Sequence, residues 1–168
     1  MPFIVRYPKR FKPSVNEDII NNVDFAPTLL ELAGVTDLPE DFQGRSFVSN
    51  LEGDTPENWR QATYYRYWMH MAHHDNPAHY GVRTKTHKLI FFYGLPLDAA
   101  GAKQTSTPPH WELYDLVKDP HEMNNVYDEP IYQDVVAALK KELLSLKEHV
   151  GDRDEQYPKL MEVRRQVW

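Results

Sequence analysis

The sequence predicts an α+β fold: a leading strand and helix of the kind found in a larger α/β domain, then a small antiparallel sheet of about four strands with a long C-terminal helix packed on it. Three observations predict it. Aromatic and β-branched residues concentrate in four short runs, ATYYRYW (62–68), HYGVRT (79–84), HKLIFFY (87–93) and WELYDL (111–116), a composition that suits pleated, half-buried strands. The middle two are separated only by Lys85-Thr86, a link of hairpin length that makes their pairing antiparallel. Beyond them Ile131, Val135, Leu139, Leu143, Leu146 and Val150 recur at helical spacing, and an apolar stripe of that length needs a surface to lie on.

Each element has a local cause. Phe3-Ile4-Val5 is an apolar run stopped by Pro8, expected as a buried strand with no partner nearby in sequence. In NVDFAPTLLELAGV, Asp24 is placed to cap a helix whose first turn accepts Pro27; Phe25, Leu29, Leu32 and Ala33 share one face until Gly34 ends it. Residues 36–60, rich in Pro, Asp, Glu, Gly and Asn, read as a surface connection with one short turn of structure at most. Residues 94–109 make a long loop before the last strand. Pro130 opens the C-terminal helix and Gly151 closes it. The chain thus divides into residues 1–60, a strand, helix and connection that the resemblance drawn below implies to belong to a large α/β domain, residues 61–151, the sheet and its helix, and a mixed-charge tail, 152–168, with no assignable period.

A chain of 168 residues can bury a core without staples. Its formal charge is −6, from 19 Lys and Arg against 25 Asp and Glu, with neither sign gathered into a long run. That argues against a nucleic-acid partner, because phosphate binding needs a clustered basic face. Cysteine is absent, which excludes disulfides, thiolate metal sites and a cysteine nucleophile but leaves periplasm and cytoplasm equally compatible. No apolar stretch reaches the roughly 18 residues of a membrane span, so no membrane partner is expected, and MPFIVRYPKRF lacks the order of a signal peptide.

The stretch HWELYDLVKDPHEMNNVYDEP (110–130) sets a strongly polar turn directly after an aromatic strand. Asp119 before Pro120 biases the backbone to a turn, and Asn124-Asn125 tolerates left-handed φ. With Trp111, Leu113 and Leu116 on the packed side, Asp119, Glu122 and Asn125 are expected to satisfy backbone donors as the chain leaves the sheet, not to do chemistry. The order PFIVRYP, VDFAPTLLELAG, HYGVRT with HKLI, and WELYDLVKDPHEMNNV resembles the C-terminal part of the type I sulfatases, members of the alkaline-phosphatase-like superfamily, over about Phe3 to Gly151. In that family the aromatic strand is the last of a small antiparallel sheet, and the Asp-Pro turn leads to the C-terminal helix.

The resemblance implies a sulfuric ester hydrolase and also shows which parts of one this chain lacks. The family makes a formylglycine from the Cys or Ser of a C/S-x-P-x-R motif; its hydrate attacks sulfur while a calcium ion and cationic side chains neutralise the sulfate oxygens. None of Ser14, Ser46, Ser49, Ser106 and Ser145 is followed by Pro at the second place and Arg at the fourth. The family's paired calcium-binding Asp residues and its later Asp-Asn or Asp-His pair are missing too. No catalytic residue or metal ligand is therefore expected here: calcium and formylglycine are implied for the complete enzyme, and an upstream catalytic part is the implied partner. The implied role is to complete the core and shape selection of a sulfated carbohydrate substrate. Strand 3–5 and the apolar side of the first helix, without the large sheet, are expected to promote self-association through residues 1–35. The alternative is a stand-alone carbohydrate- or anion-binding module, or a structural interaction domain.

HMAHHDNPAH places His70, His73, His74 and His79 within ten residues. Were 70–74 helical, His70 and His74 would share a face at i, i+4 and bind a transition metal with Asp75 as third ligand; on a loop the same residues are solvated surface. The resemblance adds a third reading, in which loops of this sheet lean over the pocket mouth and HYGVR reaches the sugar. On that reading the substrate contacts are His79, Arg83 and His74. Arg suits a sulfate or carboxylate because its planar fork donates two hydrogen bonds together, and His can donate to a hydroxyl. A salt bridge to a strand neighbour is the competing role for Arg83. Tyr64, Tyr65, Tyr67, Trp68, Phe91, Phe92 and Tyr93 are expected mainly as core, although such rings can also stack on sugars.

Overall fold

Four six-residue strands form in the computed structural model, which describes residues 3–35 and 37–168. They are β1 (Ala62–Tyr67), β2 (His79–Thr84), β3 (His87–Phe92) and β4 (His110–Asp115). Each pairs antiparallel with the next in chain order, and Lys85-Thr86 makes the expected tight link between β2 and β3. Because side chains alternate across a strand, the register sorts them into two faces. Tyr64, Val82, Leu89 and Leu113 form one inner row, and Arg66, Tyr80, Phe91 and Trp111 the next. The outer rows are Tyr67, His79, Phe92 and His110; Tyr65, Gly81, Ile90 and Glu112; and Thr63, Arg83, Lys88 and Tyr114.

The inner face is covered by α3 (Gln133–His149), entered through a 3-10 turn at Pro130–Tyr132. Tyr132, Val136, Leu139 and Leu143 are buried against it, with Val135 and Leu146 partly so. The predicted stripe is therefore right in its middle and wrong at its ends. Ile131 and Val150 are exposed because they stand outside the regular helix, where the hundred-degree step between residues no longer applies. One turn beyond Leu143 the buried position is Lys147.

Lys147 is buried because the tail supplies its counter-charges. Residues after Gly151 fold back into a 3-10 turn, Asp154–Gln156, and a helix, α4 (Pro158–Val167). Lys147 Nζ lies 3.0 Å from Asp152 and 2.9 Å from Asp154. Arg66 of β1 pairs with Asp152 at 2.6 Å, Arg164 of α4 pairs with Asp154 at 3.0 Å, and Tyr80 donates to Asp154 at 2.7 Å. The Asp152 carboxylate also accepts the Tyr64 hydroxyl. Leu160 is fully buried, Trp168 meets Trp111 edge-on at 4.9 Å, and the Trp111 indole donates to the Val167 carbonyl at 2.9 Å. The tail with no assignable period is thus a folded part of the sheet's unit.

The chain divides into two compact units between Gln61 and Ala62. The first contains α1 (Phe25–Leu32) and the short α2 (Val48–Glu52). Asp24 is fully buried; its carboxylate accepts the Asn21 N–H at 2.7 Å and the Arg45 N–H at 2.8 Å and takes the Arg60 guanidinium at both oxygens. It caps the 3-10 turn Asn22–Asp24 that leads into α1, so it acts one step earlier than expected. Thr28 accepts the Phe47 N–H and donates to the Asp24 carbonyl. Gly44 runs so close to Val23 that a Cβ there would overlap the Val23 carbonyl.

Two expectations for this unit need correcting. Phe3-Ile4-Val5 forms no strand, because a strand needs a partner and the described residues of this unit contain no other strand to ladder with. The buried side of α1 is Asp24, Pro27 and Thr28, and Leu29 on the predicted face is 66% exposed. Residues 37–60 are the expected connection, with α2 as their short turn; Thr36, named as its start, lies outside the described residues.

Candidate functional site

The outer face of the sheet and the loops at one end of it hold the three predicted contacts. At that end stands a continuous row of rings. Tyr67 stacks on His79 at 5.4 Å, His79 leans on Phe92 at 4.7 Å, and Phe92 stacks on His110 at 4.5 Å. Their faces are turned to one another, so the row offers edges and ring nitrogens instead of flat platforms. His79 is held further: its Nδ1 is 2.8 Å from the Pro77 carbonyl. A carbonyl only accepts, so Nδ1 carries the proton, leaving Nε2 as the acceptor of the neutral ring. Burial, opposed by the bond to Pro77, holds the pKa of His79 below its ordinary value. At neutral pH this His accepts from a hydroxyl or N–H; it is not an anion-binding cation.

Arg83 lies on the same face but four residues along β2, about 13 Å from His79 at the rise of a strand. It is exposed, its cross-strand neighbours are Thr63 and Lys88, and Lys88 is paired with Glu122 at 2.5 Å. The competing role is not realised: among the described residues no carboxylate pairs with Arg83. The structure therefore brings His79 and His74 to one end of the sheet and sets Arg83 apart.

His74 is exposed on the β1–β2 connection, 68–78, which is a loop and not a helix. The i, i+4 metal arrangement of His70 and His74 does not form, and the described residues contain no group of three His, Asp or Glu able to hold a metal ion. His70 instead is fully buried. Its Nδ1 accepts the Ala78 N–H at 3.0 Å and its Nε2 lies 2.7 Å from the Thr105 carbonyl. The loop is closed further by an exposed ion pair of Asp75 with Lys103 at 2.6 Å, which holds Asp75 below its usual range.

The polar turn after β4 does what was expected of Asp119 and Asn125. Asp119 accepts the Met123 and Asn124 N–H groups, both at 2.7 Å, and Asn125 accepts those of Leu113 and Tyr127 at 2.9 and 3.0 Å. Glu122 differs: it takes left-handed φ, 55°, and spends its carboxylate on Lys88. Sequence reasoning missed the Arg66–Lys147–Asp152–Asp154 cluster. The available signal was a lysine one turn after Leu143 in an apolar stripe, which calls for a buried counter-charge.

Residues 1–149 match the family model for N-sulphoglucosamine sulphohydrolase, C-terminal. The chain belongs to this sulfatase C-terminal family. It is 44% identical over 151 residues to an N-acetylglucosamine-6-O-sulfatase of Bacteroides thetaiotaomicron, covering 88% of this chain and 24% of that protein. It is 30% identical to an ulvan-active sulfatase of Formosa agariphila, covering 90% and 34%. The solved structure of BT4656 in complex with its substrate D-glucosamine-2-N,6-O-disulfate superposes with a TM-score of 0.78 at 39% identity, over 92% of this chain and 29% of that one. The chain thus spans about a quarter to a third of the length of these relatives. The four-stranded antiparallel sheet and the long helix on it are those expected of a sulfatase C-terminal domain. Among the described residues no helix is long and apolar enough to cross a membrane.

Proposed function

We propose that this chain is the C-terminal portion of a sulfatase acting on a sulfated glycan that contains an amino sugar, and that its sheet face and β1–β2 loop select the substrate. The observation that carries this reading is its 39% identity, across 92% of its length, to BT4656, which is bound to a disulfated glucosamine. On this reading residues 1–60 complete the large α/β domain, residues 61–151 form the substrate-side subdomain, and the tail 152–168 braces it. The catalytic groups come from the upstream part. No residue here fits them: the chain has neither a Cys nor a Ser in a C/S-x-P-x-R motif, and no calcium ligand set gathers among its described residues. Formylglycine and calcium are therefore assigned to the upstream part and none of the chemistry to this chain.

The contacts fall into two groups. His79 Nε2 accepts from a sugar hydroxyl or N–H, and His74 lies at the same end of the sheet. Arg83, about 13 Å along the strand, is beyond the reach of the same ring and grips an anionic group elsewhere on the glycan with its planar fork. The test joins this region to its upstream part. Arg83→Ala should raise KM about tenfold for a sulfated oligosaccharide while leaving a small aryl sulfate unchanged, since the contact binds sugar and not the reacting sulfate. Equal losses on both substrates overturn the assignment.

A further inference from the structure

Among the described residues, three of the five non-glycine residues with positive φ, Met71 at 55°, His74 at 57° and Asp75 at 51°, fall within five positions of one loop. Left-handed backbone is uncommon outside Gly and is best tolerated by Asn, Asp and His, so Met71 is the strained member of this cluster and keeps its conformation only where its surroundings over-determine it. Within the loop the Met71 N–H donates to the Asn76 carbonyl at 2.8 Å and the Asn76 N–H to that of His73 at 3.3 Å; the buried residue that fastens the loop to the rest of its unit is His70. Its backbone carbonyl accepts the Lys103 N–H at 2.9 Å, its Nε2 reaches the Thr105 carbonyl, and its Nδ1 takes the Ala78 N–H. Ala78 in turn accepts the N–H groups of Tyr93 and Gly94 at 3.1 and 3.2 Å, and the Thr107 N–H returns to Gly94 at 2.9 Å. The buried imidazole thus ties the β1–β2 loop to the start of β2 and to the 94–109 loop, and the Ala78 carbonyl carries the tie on to the end of β3, at the end of the sheet where His79 stands.

The geometry also fixes its protonation. Nδ1 faces a donor and Nε2 faces an acceptor, so only the neutral Nε2–H tautomer satisfies both; a second proton would set N–H against N–H. With both ring nitrogens engaged by backbone groups, His70 has none left to ligate a metal or to meet a ligand.

We infer that His70 is a positioning residue: its neutral ring latches the strained segment Met71–Asp75 in the conformation that presents His74 to the glycan. This rests on the substrate-selecting role proposed above for the loop. His70 itself is buried and touches no ligand. Its consequence is specific to sugar recognition, because the loop carries His74 and none of the sulfatase's reacting groups.

The test uses the enzyme rejoined to its upstream part, with His70→Phe, His70→Gln and His74→Ala. Phe fills the volume without hydrogen bonding; Gln offers an acceptor and a donor in one side chain. His70→Phe should raise KM for D-glucosamine-2-N,6-O-disulfate by about tenfold with kcat little changed and small aryl sulfates unaffected, and His70→Gln should recover part of the loss. Nitrogen NMR of the 168-residue chain should show one protonated and one unprotonated ring nitrogen on His70. If His74→Ala raises KM but His70→Phe does not, the latch is wrong and the role of the loop stands. If His70→Phe lowers kcat on both substrates and Gln gives no recovery, His70 is merely structural and the inference falls. If neither variant moves KM while the NMR signature is present, it is the substrate role of the loop that fails, and with it the assignment of His70 as a positioning residue.

Discussion

At the residue scale, the structure separates what a side chain could do from what its neighbours leave it free to do. The four histidines near position 74 are one cluster in the sequence and three environments in the fold. His70 is a buried latch, His79 a ring wedged between Tyr67 and Phe92, and His73 and His74 are exposed on the loop. The sequence could not divide them, because His70 is covered by partners 33 and 35 positions away, Lys103 and Thr105 of the 94–109 loop, that no periodicity reveals. Arg83 was legible as an exposed outer-face cation from strand alternation alone. Asp115 gives a measurable case. The Tyr132 hydroxyl first, then the Lys118 backbone N–H, hold its carboxyl down at about 2. A depressed carboxyl stabilises the fold fully above its unfolded value and loses that contribution as pH falls through the folded one. Stability measured by urea should therefore drop between about pH 4 and pH 2, and Asp115→Asn should flatten that part of the profile. An unchanged slope in the variant would mean that other carboxylates account for the acid sensitivity.

At the element scale, the four strands of the sheet and the hairpin link were legible because composition and alternation agree there, and each of these four lies within one residue of its predicted place, whereas the predicted strand at 3–5 does not form. The C-terminal helix was legible from its period, but the burial of Lys147 in its stripe was not, since its partners Asp152 and Asp154 follow a chain reversal at Gly151, φ 72°. Leu143, fully buried, tests the ordinary part of this packing: Leu143→Ala should cost roughly 2 to 5 kcal/mol in chemical denaturation. Asp154 tests the unusual part. Its side chain is wholly buried between Lys147 and Arg164 and accepts from Tyr80, so Asp154→Ala takes the carboxylate from Arg164 and leaves the buried Lys147 with Asp152 alone, and should cost about 3 to 5 kcal/mol. Ending the chain at His149, the last residue of the family match, removes both aspartates together with the Trp168 contact. It should leave the sheet's unit unfolded by circular dichroism, and a cooperative melt of that truncated chain would show that α4 is dispensable.

At the scale of the whole molecule, the first unit exposes apolar side chains that a finished surface would cover. Ile4 is 88% exposed, Leu29 66% and Phe3 54%, and the run 3–5 has backbone groups with no ladder to join. Phe3 still stacks on Phe25 at 4.7 Å and meets Phe47 edge-on, so the segment is anchored at one side chain and open beyond it. Were residues 1–60 to complete a large α/β domain, as proposed above, its parallel sheet would supply the partner that the run 3–5 lacks. Apolar patches and unpaired edges recruit other chains. We therefore expect the 168-residue chain to self-associate through residues before Val35, with the sheet and its helix folded normally in each copy. Light scattering should show a mass that rises with concentration, and Ile4→Asp or Leu29→Asp should return it to the monomer without altering the melt of the sheet. A monomer at every concentration, with the amides of residues 3–5 protected from exchange, would mean that these residues are covered within their own chain and that no upstream sheet is needed to receive them.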